Sequence, residues 1–214
     1  MSIVPLFASA LIALSIAPAA AQMLDGAGDT RRVDEAAAVR RAIASDPVAP
    51  TVAPRGADVT LVVFSDYQCP YCRRIHPAIE QLKREDKRLR IVYRDWPIFG
   101  APSVEAARAA IAANYQGKHA AFNDALMATK GRIDGTAIRA AAARAGVDWK
   151  RLKADETRHA AEIEGAIERT RRYARMMGLT GTPAMLVGRY LIPGAVDLAT
   201  LRKAVETARA RPDG

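Results

Sequence analysis

The 214-residue sequence holds two cysteines, Cys69 and Cys72, in the stretch Cys69-Pro70-Tyr71-Cys72. Two thiols at that spacing can close a disulfide with each other and can pass it to another protein. One thiolate forms the mixed disulfide and the second resolves it from within the same chain. A purely structural disulfide is the weaker reading, because a bridge closing so short a loop restricts little chain entropy. A metal site is the other rival. Cys69, Cys72 and His76 look like the start of one, but only His119 and His159 remain as imidazoles and neither has paired spacing. Four ligands for zinc or copper would need distant help. His76 therefore reads as a helix-surface residue, no metal site is expected, and no cofactor beyond the thiols is needed.

The flanking residues say how the pair is held. Val59-Thr60-Leu61-Val62-Val63-Phe64 is an almost unbroken β-branched and apolar run, the pattern of a strand buried on both faces. Ser65 to Gln68 form a polar turn. Pro70 suits the first helical position, where its fixed φ fits and its missing N–H would be unpaired in any case. That puts Cys69 at a helix N-cap, where unpaired N–H groups and the positive end of the helix dipole favour a thiolate. A free cysteine titrates near ~8.5, and one in a Cys-X-X-Cys motif at a helix start falls to about 3.5–7.5. Cys69 is thus the expected nucleophile at the exposed position, and Cys72, one turn deeper, the resolving thiol. Ile75, Ile79 and Leu82 carry the helix on to about Lys83, and Pro77 inside it predicts a kink rather than an end.

Two further features accompany the strand, the cysteine pair and the helix. Gly181-Thr182-Pro183 precedes the apolar run Ala184 to Val187, and residues 103–177 between the two parts read as helix. In that order, residues 57–210 resemble the thioredoxin superfamily, and most closely the DsbA-like thiol:disulfide oxidoreductases of the bacterial periplasm. The resemblance implies an α/β thioredoxin fold in which a helical insertion separates an amino-terminal strand-helix-strand from carboxyl-terminal strands and a helix. It implies a cis Thr182–Pro183 peptide beside Cys69, with the Thr182 backbone free to pair with an extended substrate. Pro70 and Tyr71, between the cysteines, would tune the thiolate. Unfolded or partly folded exported proteins would be the clients, and a DsbB-like membrane protein or a reducing equivalent the redox partner. The sequence departs from the family pattern in two places. Tyr71 stands where strongly oxidising members carry histidine, which implies a milder oxidant. Val63 stands six positions before Cys69, where an acidic residue is usual. Threonine before the proline is also common among relatives that reduce or isomerise disulfides. The expected function is disulfide formation in exported proteins; the alternatives are an isomerase or reductase kept reduced by a membrane partner, or a copper- or metal-binding module using the same thiols.

Bulk properties fit one sizeable domain with an insertion. The net charge of +9 raises nucleic acid as a partner, but only 6% of residues are aromatic and no basic run is interleaved with them, so nucleic acid is not expected. Residues 1–21 carry an apolar run, Ile3 to Ile16, then Pro18-Ala19-Ala20-Ala21, and read as a secretory signal cleaved after Ala21. No Lys or Arg precedes the run, which leaves an uncleaved anchor as the alternative; either form puts the body outside the cytoplasm, in the periplasm. Residues 22–56 form an amino-terminal helix and a proline-rich linker. The helix is expected over 29–44, capped by Asp29 or Thr30, and Pro47, Pro50 and Pro54 make an extended spacer. A helix so placed either packs on its own domain or pairs with other copies of the chain. Residues 57–211 form the thioredoxin-like domain. Within it, Leu89 to Tyr93 is a strand, Ser103 caps the first helix of the insertion, and His119 to Met127, Thr136 to Ala145 and Glu156 to Met177 read as the helices that follow. Asp197 caps a closing helix to about Ala208.

Overall fold

A computed structural model describes residues 26–211, with side chains from residue 34 onward. The segment read as a secretory signal lies outside the described residues. The centre is a five-stranded sheet in the order β1-β3-β2-β4-β5, formed by β1 (Thr51–Val52), β2 (Val59–Ser65), β3 (Leu89–Asp95), β4 (Ala184–Val187) and β5 (Tyr190–Pro193). β2 and β3 run parallel, in register from Val59 opposite Leu89 to Ser65 opposite Asp95, and the other neighbours pair antiparallel. The crossover between β2 and β3 is α2 (Pro70–Glu85), as a parallel pair requires.

The unbroken apolar run of β2 is explained by its two faces. Leu61 and Val63 enter the core beneath α2 and α8 (Leu198–Ala210), while Val62 and Phe64 enter a second core on the other side, with Val92, Trp96 and Tyr173. Successive side chains of a strand point to opposite faces, so a strand covered on both must be apolar at every step. Each such side chain, fully buried, stabilises by roughly 1.5–3 kcal/mol before ordering costs are counted. Only Thr60 and Ser65 interrupt the pattern, near the two ends.

The insertion is five helices: α3 (Ala101–Ala113), α4 (His119–Met127), α5 (Gly135–Arg144), α6 (Trp149–Arg158) and α7 (Ala160–Met176). They build a third core around Phe122, Leu126, Ile138, Leu152 and Ile167, to which Tyr67, Cys69 and Cys72 also belong. The cysteine pair therefore lies at the seam between thioredoxin sheet and insertion.

Several expectations about the elements are corrected. Ser103 is not a cap: α3 starts at Ala101 behind Gly100, whose φ of 88° favours glycine, and Ser103 turns inward. α5 is capped by Asp134, whose side chain accepts from Ala137 N–H, two residues before the expected start at Thr136. The helix expected from Glu156 to Met177 breaks at His159 into α6 and α7, and α6 begins earlier, capped by Asp148. Asp197 does cap α8, accepting from Thr200 N–H at 2.8 Å. α1 spans Gly26–Ala44, so Asp29 and Thr30 lie inside it rather than at its cap.

The proline-rich segment is not a free spacer. β1 joins the sheet edge against β3, Pro50 C=O accepts from Tyr93 N–H, and Asp46 turns in to meet two arginines from the domain. α1 accordingly packs on its own domain: Ile43 is fully buried beside Phe64 and Trp96, with Val39 against the same core.

Candidate active site

β2 ends at Ser65, and the next residue organises the approach to the cysteines. Asp66 is buried; its Oδ1 accepts from Gln68 N–H at 2.8 Å and from Ser103 Oγ–H at 2.8 Å, and its Oδ2 accepts from Ile98 N–H at 2.7 Å and Phe99 N–H at 3.1 Å. One carboxylate thus binds the turn before α2 to the segment between β3 and α3. Arg73 adds a second tie, its guanidinium donating to Tyr67 C=O at 2.8 Å and to Gly131 C=O at 2.7 Å. The bond to Gln68 is a local turn pattern that the sequence advertises. The bonds to residues 98, 99 and 103 have no local signal.

Cys69 is the N-cap of α2, with extended backbone, and Pro70 opens the helix. Both cysteines are free thiols, and both are buried, each 2% exposed. This corrects the expectation of an exposed Cys69. The loop carrying the cis Thr182–Pro183 peptide folds over it from a distance of 113 residues, and the Cys69 thiol donates to Thr182 C=O at 3.2 Å. What separates the two sulfurs is their company. A hydrogen bond from Cys72, aided by Thr182 and the N–H groups of Cys72 and Tyr71, holds the Cys69 thiol down to about 5 against the opposing effect of burial. Giving that hydrogen bond, together with denser burial, pushes the Cys72 thiol far up. The Thr182 hydroxyl is buried with no partner among the described residues, free to turn to an anionic sulfur. The pair can therefore hold one thiolate and one thiol side by side at neutral pH, as thiol–disulfide exchange requires.

Around the pair the surface is apolar and open. Tyr71, 54% exposed with Arg74 4.9 Å from its ring, stands at the mouth of a groove of about 750 Å³ running between α2 and the loop before α8. Pro77, Ala78, Pro183, Val196 and Leu198 line it. Ile98 and Phe99, exposed apolar side chains, flank the site on the segment that Asp66 fixes. α2 continues through Pro77 without ending, as expected.

The inner side is polar. His76 is not a surface residue: its side chain is 13% exposed and its Nε2 lies 3.0 Å from Asp124 Oδ1 of α4. Despite the opposing effect of partial burial, that bond and the charge of Lys83 hold the Asp124 carboxyl below its usual range. With Glu80 these residues form a group whose possible ligand atoms lie within 4.8 Å of one another, which brings a residue of the insertion into a cluster that the sequence did not suggest. Lys83 already neutralises Glu80. Val63 is buried in the apolar core under α2, so no carboxylate reaches Cys72 from that position.

The DSBA-like thioredoxin domain matches residues 60–206. A thioredoxin-like oxidoreductase from Silicibacter pomeroyi DSS-3 is 40% identical, superposes with a TM-score of 0.75, and is covered over 98% of its chain and 80% of this one. The thiol-disulfide exchange protein alpha-DsbA2 of Wolbachia pipientis is 28% identical, with a TM-score of 0.75 over 97% of its chain and 83% of this one. A Na(+)/H(+) antiporter, NhaA 1 of Salinispora arenicola, is 31% identical over 161 residues, which is 73% of this chain and 24% of that protein. The chain spans about a quarter of the length of the curated relatives it matches. Taken with the strand, the paired thiols and the covering threonine-proline loop, the match over residues 60–206 makes the chain a member of the DsbA-like family of thioredoxin-fold thiol:disulfide oxidoreductases.

Proposed function

We propose that the chain forms disulfide bonds in exported proteins of the periplasm, with Cys69 and Cys72 as its catalytic pair. The observation that carries this is the asymmetry of the two sulfurs, Cys69 held down to about 5 and Cys72 pushed up. Whatever stabilises the thiolate stabilises the reduced pair, and a stable reduced pair is an oxidant when it starts as the disulfide. A client thiolate attacks the Cys69 sulfur of the disulfide; the Cys69–Cys72 bond breaks and Cys72 leaves as a thiolate that takes up a proton. A second client thiolate then attacks the client sulfur of the mixed disulfide, forming the client's bond and releasing Cys69 as the stable thiolate. The pair gains two electrons, which a DsbB-like membrane partner would remove.

The open groove and exposed Tyr71, Ile98 and Phe99 suit an extended, partly apolar client such as an unfolded chain, and Thr182, which lines the groove, would pair with it through its backbone. Export rests on the leader-like residues 1–21. A second reading, an isomerase or reductase kept reduced in place, is favoured by the same Thr182 and by the neutral Tyr71 between the cysteines.

Trapping tests the pair. Cys72→Ser should accumulate mixed disulfides with clients, because nothing resolves them from within, and Cys69→Ser should accumulate far fewer. Equal trapping by the two variants would sink the assignment. The redox state of the wild-type pair in cells separates the two readings, oxidised for the first and reduced for the second.

A further inference from the structure

Every turnover of the pair moves a proton at Cys72, which lies in the denser of the two sulfur environments, and Val63 offers it no base. A small cavity of about 10 Å³ touches Cys72 and is lined on its polar side by Ser65, His76, Tyr93 and Asn123. That is room for about one water, given two to four polar partners. Two partners stand ready: Tyr93 Oη and Asn123 Nδ2 are buried, their residues 3% and 1% exposed, with no hydrogen-bond partner among the described residues. Cys72 and His76 are one turn apart on the same face of α2. His76 is tied through Nε2 to Asp124, which is 45% exposed and so leads to solvent.

We infer that a water in this cavity links Cys72 to His76, and that the His76–Asp124 pair takes and returns the proton of the resolving thiol. With Nε2–H given to Asp124, Nδ1 is the basic nitrogen of the ring. In the resolving direction, the Cys72 thiol passes its proton to the water and the water passes one to Nδ1. The Cys72 thiolate attacks Cys69, the Cys69–Cys72 bond forms, and the client sulfur leaves Cys69 as a thiolate. The imidazolium, balanced by the Asp124 carboxylate, then loses its proton to solvent. In the oxidising direction, Cys72 leaves as a thiolate and the same proton returns to it.

The other charged or titratable groups facing this pair do not replace it. From α2, Lys83 and Glu80 neutralise each other. From α4, burial holds His119 neutral, its imidazole down to about 3, and from β3 burial pushes the Tyr93 phenol well up. Ser65, Asn123 and Pro183 carry no charge.

The inference rests on the exchange reading, and one experiment separates the two. Reduced full-length protein is mixed with oxidised glutathione across a pH series. Formation of the mixed disulfide at Cys69 and its resolution by Cys72 are followed as separate steps in wild type, His76→Gln and Asp124→Asn. General acid–base catalysis is worth about 10²–10⁴-fold, so His76→Gln should slow resolution near neutral pH by about that order. The first step should keep its rate, and the deficit should shrink as rising pH supplies hydroxide. Asp124→Asn, which leaves the imidazole in place, should lose less and shift the pH profile of the second step. Resolution by His76→Gln at the wild-type rate and pH profile overturns the relay alone, as does an equal slowing of both steps, the mark of a merely structural role. A wild type that forms no mixed disulfide at Cys69 overturns the exchange reading and the relay together.

Discussion

Arg94 and Asp95 are neighbours on β3, and the two regions they face treat buried charge in opposite ways. On Arg94's side, Asp46 receives the guanidinium of Arg94 at 2.7 Å, that of Arg169 through two bonds at 2.8 and 2.9 Å, and Val48 N–H at 3.1 Å. Against the penalty of burial, these bonds hold the Asp46 carboxyl down to about 2. On the other side, Asp95 is buried beside Tyr67, and the carboxyl and the phenol face each other without closing a hydrogen bond of normal geometry. Desolvation pushes the Asp95 carboxyl up to about 7. The first region fastens the amino-terminal segment to the domain. The second borders the cysteine loop, and there polar groups stand unanswered: Asp95, Tyr67 Oη, Thr182 Oγ1, Tyr93 Oη and Asn123 Nδ2. Unpartnered buried groups cost stability wherever they occur. The contrast lies in the carboxylates: Asp46 has every bond it can use at the joint, although Arg94 Nε and Nη2 go unpartnered there among the described residues, whereas Asp95 and the groups around the sulfurs, where charge and protons must move, stay uncommitted.

The largest effect should come from breaking the joint. Asp46→Ala leaves Arg94 buried without its carboxylate, and removing one partner of a buried pair typically costs about 3–5 kcal/mol. Chemical denaturation should show that loss while the Cys69 thiolate keeps its absorbance. An Asp46→Ala protein as stable as wild type would mean that the joint holds nothing.

The two carboxylates should also give stability opposite dependences on pH. Asp95 holds its proton more tightly folded than unfolded, so its contribution is full below the ordinary carboxyl value of 3.8 and is lost as the pH rises through about 7. Asp46 contributes stability present above 3.8 and lost as the pH falls through about 2. Asp95→Asn should therefore stabilise relative to wild type more at about pH 8 than at about pH 4, read from unfolding at each pH. A constant difference across that range would show that Asp95 does not titrate there.

A smaller effect should follow at the thiolate. Thr182→Val removes the uncommitted hydroxyl while keeping the shape. Hydrogen bonds to charged groups are worth about 1.5–3 kcal/mol, so the Cys69 thiol should rise by about one to two units in an ultraviolet titration. No rise would return the whole shift to Cys72 and the helix terminus.

The smallest should come from Tyr71→His, because that side chain is half exposed. A second stabiliser of the thiolate should raise the reduction potential by tens of millivolts, ~30 mV corresponding to about 1.4 kcal/mol for the two-electron couple. Glutathione equilibration measures it, and an unchanged or lower potential would show that the residues between the cysteines do not set the poise.

The sequence by itself determined what depends on near neighbours. The double-faced β2 follows from its apolar run, the N-cap position of Cys69 from Pro70 and the polar turn, and the cap of α8 from Asp197, because strand alternation and capping are set within a few residues. The order of elements around the cysteine pair and Thr182-Pro183 was enough to suggest the family. Tertiary structure decided what depends on packing between distant segments. It buried Cys69 under a loop 113 residues away and gave His76 a partner 48 residues on. It turned Asp66 from a turn residue into the tie between two loops, drew the proline-rich segment onto the sheet edge, and split the last long helix of the insertion at His159. None of these contacts has a period or spacing that a sequence can display. Each depends on which faces meet when the insertion closes on the sheet, and there the burial of whole surfaces outweighs local preference.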